Sequence, residues 1–443
     1  MQPVREMIRT VPKYLIVLLV VALPTILTII LFSFLLLKIF IPSLGKMTHA
    51  FPAYYTAAHL LLDGQLDARA YNNAWFIEQV HITVDPSIDE IMTPSLPTQS
   101  LIMAPLVRFS PIPARDLWLW FSLIFLFGGI GMLIWSDQRV ENFAPKGRMA
   151  FSFFEHRTQQ RISFYLIFAS LSFLFPAVAA NFFIGQTIIL FFFLLSVTFF
   201  GVVTDRNEIA GVALGLTFML KFLGLPLWFL FLLHGRWRAL GWGIGTITLI
   251  FLITLPLITW QTWLAFLEAA WTVTGGATRA VPAYQTTAGF FTHLFLFDPV
   301  WNPSPLIHWP LLSTLLPTAI ALFAIGITLW RGRNPRVMRP LFAALIPLGI
   351  ILLPVAEEHH FVLLLISIFI IGQNLLTSAY QGYISVTDWA ILGVAILLLI
   401  IPIPYQTVAL DGGWGVLRYP RLFGGWLIWM VAFRQLKYEF TTL

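Results

Sequence analysis

The chain has 443 residues, of which 58% are hydrophobic and only 10% charged, against roughly 25% charged residues in a soluble domain. A soluble globular fold is thereby excluded, and an all-α polytopic integral membrane protein embedded in a lipid bilayer is expected. The absence of cysteine removes disulfides, thiolate metal sites and a cysteine nucleophile, and the net charge of +6 reads as an orientation signal, with no nucleic-acid partner expected.

Arg5, Arg9 and Lys13 precede an apolar run from Tyr14 to Leu37, long enough to cross a hydrocarbon core of about 30 Å. The basic flank puts the N-terminus inside, and no small-residue cleavage site follows, so the run reads as an anchor. Residues 43–116 then form a long first outer loop bearing interfacial helices. Its stretch from Phe51 to Tyr71 mixes aromatics, small residues and acids: Tyr54 and Tyr55 are adjacent, Thr56, Ala57 and Ala58 make a small face, and Asp63 and Asp67 flank Gly64. This reads as a short amphipathic helix lying along the membrane surface and ended at Gly64. Its tyrosines serve either a site or a headgroup-level belt. The loop closes on Leu96 to Val107, apolar but too short to span, which is expected to dip into the interface.

A second span, Leu117 to Trp135, returns to a basic inner loop with Arg139, Lys146, Arg148, Arg157 and Arg161. Spans at 162–180 and 187–203 follow, joined outside by Asn181 to Gln186. The segment Ile209 to Leu233 then breaks the alternation. As a single span it would leave His234, Arg236 and Arg238 outside and put Arg331, Arg333, Arg336 and Arg339 on the wrong side. Lys221, Gly224 and Pro226 at its middle point instead to a broken, re-entrant helix pair at 209–233, because a charge beside helix breakers at membrane depth is tolerated where backbone lines a cavity. The alternative is a kinked full span with Lys221 in an ion pair inside the bundle. With the hairpin in place, spans near 240–259, 306–330, 340–356, 361–377, 389–410 and 422–433, and a second large outer loop at 260–305, complete one domain over 1–443 with roughly 10–12 transmembrane helices. Basic residues then concentrate inside and acids outside, so chemistry is expected on the outer face.

Four outward features converge: the Phe51 to Tyr71 stretch, the Gly185-Gln186 turn, the Lys221 tip and the run Glu357-Glu358-His359-His360. An ionisable cluster at a membrane boundary is costly and marks a candidate site; the competing reading is a solvated turn whose histidines pair with their own glutamates. No metal is expected there, because adjacent histidines point in different directions and lack the i, i+4 spacing that shares one ion.

In chain order, FPAYYTAAHLLLDG, TPSLPTQSLIMAPL, NFFIGQTIIL, IAGVALGLTFMLKFLGLPL, AYQTTAG (Ala283 to Gly289) and LLPVAEEHHFVLL resemble the successive motifs of glycosyltransferase family 87, membrane enzymes of the GT-C superfamily that use polyprenol-phosphate sugars. The resemblance implies a GT-C-like bundle. It also implies inverting transfer of a sugar, mannose-like, from a polyprenyl-phosphate-linked donor to a hydroxyl of a lipid or glycan acceptor, outside the plasma membrane and without a cofactor. In that scheme Lys221, His359 and His360 would bind the donor phosphate, and Tyr54, Tyr55, Gln186 and Gln285 the substrates. A lipid-phosphate leaving group needs a cation at membrane depth, which Lys221 beside a helix break supplies. The acceptor hydroxyl needs a general base. Here the chain departs from the family, which typically has aspartate immediately before the position of Phe51; this sequence has Ala50, preceded by His49. His49, Asp63 and Glu358 are the alternative bases, and loss of activity is a further alternative. Two other classes compete: a lipid-linked-sugar transporter or scramblase, since a broken helix with a buried lysine is also a transporter feature, and a noncatalytic lipid-sugar-binding protein.

Overall fold

The computed structural model describes residues 18–142, 151–402 and 412–437. Arg5, Arg9 and Lys13, the Lys146 and Arg148 part of the expected inner loop, and the end of the expected 389–410 span lie outside the described residues. The described secondary structure is helical, with one isolated bridge between Asp298 and Asn302. In chain order the helices are α1 (Val20–Ser43), α2 (Phe51–Leu62), α3 (Asn73–Thr83), α4 (Pro111–Asn142), α5 (Phe151–Leu174), α6 (Pro176–Ile184), α7 (Ile188–Val203), α8 (Asn207–Lys221) and α9 (Leu225–Leu233). They continue with α10 (Trp237–Thr254), α11 (Trp260–Gly275), α12 (Thr287–Phe295), α13 (Pro310–Arg331), α14 (Met338–Ile351), α15 (Leu364–Tyr380), α16 (Val386–Ile400) and α17 (Pro420–Gln435).

By length and composition, 5 helices among the described residues suffice to cross a membrane: α1, Pro111–Gln138 of α4, α10, α13, and Glu358–Tyr380, which includes α15. A bent pair, Thr158–Leu174 with α6, turned by 47°, brings the number to 6, and α7 and α16 are shorter apolar helices. The bent pair replaces the straight span expected at 162–180. Phe175 leaves the helix at ψ 120° and Pro176 restarts it, a position where a missing N–H costs nothing. As a result Asn181 lies inside α6, and only Gly185 (φ +66°), Gln186 and Thr187 make the turn into α7.

Polar contacts between helices define two ends of the bundle. At one, Asp137 of α4 accepts from Tyr165 at 2.9 Å and pairs with Arg339 at 3.1 Å, while Arg434 of α17 pairs with Asp388 at 2.6 Å. At the other, Arg115 of α4 donates to the Ser43 and Phe183 carbonyls at 2.5 and 2.8 Å, and Arg421 of α17 meets Glu358 at 2.6 Å. Both α4 and α17 carry one cluster at each end. At 1.5 Å per residue the clusters are about 20 Å apart along α17 and about 33 Å apart along α4, on the scale of a bilayer core.

The break at Lys221 that the charge pattern requires is present. Arg236, just after α9, pairs with Asp205 at 3.3 Å and donates to Asn207 Oδ1 at 3.4 Å, so the start of α8 and the end of α9 stand together at the basic end. There His234 Nε2 also donates to the Gly332 carbonyl at 2.8 Å, which puts the Arg331 to Arg339 turn on the same end. The tip is Phe222 at φ +50° and Gly224 at φ +76°; glycine adopts the left-handed region freely, whereas Phe222 does so at a cost of roughly 1 kcal/mol. Next, α10 runs parallel to α8 in close contact. A Cβ on Gly215 would lie 2.7 Å from the Gly243 carbonyl, and one on Gly211 would collide with the Ala239 carbonyl. In lipid, helices are held by such close packing and not by a hydrophobic drive.

Helix α2 differs from the surface helix expected. Only His59 and Leu62 reach the surface appreciably. Ala53 and Ala57 pack with Leu96 and Met219 on one side, and Phe51, Tyr55 and Ala58 with Met103 and Trp118 on the other, so the small residues make α2 narrow enough to be enclosed twice. The 97–106 segment folds over it, and Thr98 donates to the Met219 carbonyl at 2.6 Å, tying the first outer loop to the hairpin tip. The helix does end where expected, with Gly64 at φ +68° behind Asp63, the left-handed stop that glycine favours.

Candidate functional site

The site is built on the start of α2. The Phe51 N–H donates to the His49 carbonyl at 3.0 Å across Ala50, whose φ of +71° and ψ of −57° are those of the γ-turn with positive φ, rare and strained for a residue with a Cβ. Such strain costs about 1–3 kcal/mol and persists only where the surroundings impose it. They do so here: Thr48 donates to the Phe183 carbonyl at 2.7 Å and accepts from Arg115 at 2.9 Å, fastening the approach to α2 onto the end of α6. The turn presents His49 outward, 77% accessible, with Nδ1 2.8 Å from Oε1 of Glu90, which is only 17% accessible.

One turn further, Tyr54 donates to Gln186 Oε1 at 2.7 Å, and the Lys221 ammonium donates to the Tyr54 hydroxyl at 3.4 Å with its charge 5.7 Å from the ring centre. Gln186 is itself fixed, since its Oε1 also accepts from the Thr187 N–H at 3.1 Å and Trp118 donates to its carbonyl at 3.3 Å. The helix break thus delivers Lys221 to a prearranged Tyr-Gln pair. No ion pair to Lys221 occurs among the described residues, although its charge reaches Glu357.

Glu357 opens the turn between α14 and α15. Asn181 of α6 holds that turn by donating to the His359 carbonyl at 2.9 Å. The His359 ring is buried, with Nδ1 3.6 Å from Glu357 Oε2 and Nε2 without a partner. The Glu357 N–H lies 3.2 Å from His360 Nδ1, so a neutral His360 carries its proton on Nε2. The two rings are 4.3 Å apart. An unmatched buried ring nitrogen in the field of an ammonium without an ion-pair partner among the described residues suits an anionic oxygen. Glu357 keeps 48% of its side chain accessible, yet protein surrounds it closely enough that loss of water raises its carboxyl pKa, with Lys221 opposing and Glu90 adding to the rise. This shared field joins the first outer loop, the hairpin tip and the His-His turn. Tyr284, whose pKa is raised by burial and then by the charge of Glu357, adds the second outer loop.

Other residues singled out from sequence are not gathered here. Asp63 lies roughly 13 Å along the α2 axis from Tyr54 and pairs with His59 at 2.8 Å. Tyr55 turns away to the Phe109 carbonyl at 2.8 Å. Glu358 receives two bonds from Arg421, at 2.6 and 3.1 Å, and Gln285 spends both amide hydrogens on the Pro282 and Arg418 carbonyls. Asn181 and Tyr284 carry no signal of their own in the sequence, and Glu90 stands out there only as one of the acids of the first outer loop, because only long-range contacts bring the three in. Among the described residues no group of three or more His, Asp or Glu is placed to hold a metal ion.

The family model for glycosyltransferase family 87 matches residues 97–356, more than half of the chain. The match takes in Gln186, Lys221 and Tyr284 and stops short of α2 and the histidine pair. No curated protein and no solved structure matches the chain. The chain belongs to glycosyltransferase family 87 and is a multi-pass membrane glycosyltransferase.

Proposed function

We propose that this member of family 87 transfers a mannose-like sugar, with inversion, from a polyprenyl-phosphate donor to a hydroxyl of a lipid or glycan acceptor at the extracytoplasmic face of the plasma membrane. One observation carries the reading: an ammonium without an ion-pair partner among the described residues, at a helix break, held by the Tyr54 hydroxyl at 3.4 Å. The acceptor oxygen attacks the anomeric carbon as its proton passes to a base. The bond from that carbon to the phosphate oxygen breaks, and its electron pair stays on the lipid phosphate. Lys221 neutralises that developing charge, in a setting where a fixed cation acts more strongly than in water. His359 Nε2 and His360 Nε2 supply donors to the same phosphate, and Tyr54 with Gln186 orients the sugar. Of the three bases considered, the surroundings favour His49, because Asp63 is remote and Glu358 is engaged by Arg421; Tyr55 and Gln285 keep at most a supporting role. The test is binding of polyprenyl-phosphate mannose to purified variants together with their thermal stability. Lys221→Met should lose most donor affinity and Lys221→Arg retain part, since it keeps the charge with altered geometry, both with near-parental melting. Parent-like donor binding by Lys221→Met would sink the reading.

A further inference from the structure

We propose that His49 and Glu90 form a catalytic dyad, with His49 the general base that deprotonates the acceptor hydroxyl and Glu90 the carboxylate that positions it; this rests on the transfer reaction proposed above. The geometry is that of an oriented imidazole. Glu90 Oε1, largely enclosed, accepts the Nδ1–H of His49 at 2.8 Å, which fixes the tautomer and leaves the Nε2 lone pair on the open side of the ring. A carboxylate in this position also stabilises the imidazolium formed when Nε2 takes a proton. The backbone is bent to serve it: His49 begins the strained γ-turn at Ala50, and strain of that kind collects at functional sites.

Placement supports the same role. Glu90 acts electrostatically on Glu357, which also feels Lys221, so the dyad and the donor cation share one field, and His49 sits just before the start of the helix that carries Tyr54. In the reaction the acceptor O–H proton moves to Nε2 while the acceptor oxygen bonds to the anomeric carbon and the lipid phosphate departs. The accessible ring then releases that proton to solvent. The bland alternative is that the pair only pins residues 85–90 against α2, as the His81–Asp89 contact at 2.8 Å pins them against α3.

Kinetics on the purified full chain separate these, with polyprenyl-phosphate mannose as donor and alkyl mannosides as acceptors. His49→Ala should lower kcat by about 10²-fold or more with donor KM unchanged, and added imidazole should restore part of the loss. Glu90→Gln should fall between parent and His49→Ala, and the double variant should be no slower than His49→Ala alone, because groups acting as a unit are not additive. Ala50→Asp in the His49→Ala background, which sets a carboxylate beside the vacated position, should also recover turnover. Parental kcat in His49→Ala, or additive losses without imidazole rescue, overturns the dyad while leaving the transfer reaction standing. Absence of any transfer by the parent overturns the donor assignment, and the dyad falls with it.

Discussion

Glu357 and Glu358 are neighbours in the chain and have opposite surroundings. Glu357 is the extended residue before the 3-10 turn, with ψ 173°, and Glu358 is the first residue in it, so the two side chains part: Glu358 reaches the buried Arg421, while Glu357 lies in the field of Lys221 and Glu90. The sequence marks this run as costly at a membrane boundary, but composition cannot say which glutamate meets which partner, and Glu358 is the one it favours as a base. Arg421 also donates to the Leu398 and Ile401 carbonyls, so Glu358 completes a structural clamp across α15, α16 and α17. Glu357 yields a pH prediction. Its carboxyl pKa is raised in the folded state, so the folded chain keeps a proton that the unfolded chain has already lost, and stability falls as pH rises from about 4.3 through the raised pKa. Glu357→Gln cannot ionise. Its melting temperature should match the parent below that window and exceed it increasingly across it; thermal scans giving the two proteins the same pH profile would contradict the assigned field.

At the scale of elements, the hairpin of α8 and α9 was legible because a single span there would have put the basic 236–238 and 331–339 segments on the wrong side, a constraint that local propensity does not supply. The amphipathic reading of α2 failed for a related reason. Its alanines look like one small face, but in a bundle small residues permit enclosure from two sides, and no periodicity in α2 itself records what the 97–106 segment will cover. The parallel contact of α8 with α10 was also missed, although Gly211 and Gly215 have the small-x-x-x-small spacing that lets helices touch in lipid. That contact packs α8 against α10, and α8 ends in Lys221. Gly215→Leu should therefore force the helices apart, lowering stability by about 1–3 kcal/mol as overpacking does and weakening donor binding together with it. Gly241→Ala, on a face of α10 with nothing within 4 Å, should leave both at parental values. Melting and donor-binding measurements on the two variants check this, and Gly215→Leu with parental donor affinity would mean that α10 does not position Lys221.

Across the whole molecule, charge sorts along the axis of the bundle. Arg236, Arg339 and Arg434 pair with acids at one end, close to the Arg331 to Arg336 turn, while Asp63, Asp67, Asp85, Asp89 and Glu90 belong to the loop that builds the opposite end with the site. The sequence carried this sorting, since the basic 139–161, 234–238 and 331–339 segments fixed the alternation of the turns between them; how many helices cross, and which stop short, depends on bends such as the 47° turn at Phe175 that hydropathy smooths over. The positive-inside rule predicts a cytoplasmic arginine end, and with it an extracytoplasmic position for Lys221 at the opposite end. The chain has no cysteine, so one introduced thiol reports one position. Asp63→Cys and Arg333→Cys both replace exposed residues at opposite ends, neither of them a contact of Lys221. A membrane-impermeant thiol reagent applied to intact cells should label position 63 and spare position 333, and inverted vesicles should give the reverse. If position 333 were labelled in intact cells and position 63 were not, the site would face the cytoplasm and the extracytoplasmic assignment would fall. If both were labelled from one side, the two ends would not lie across a membrane from each other, and the hairpin could no longer be what reconciles the arginine loops.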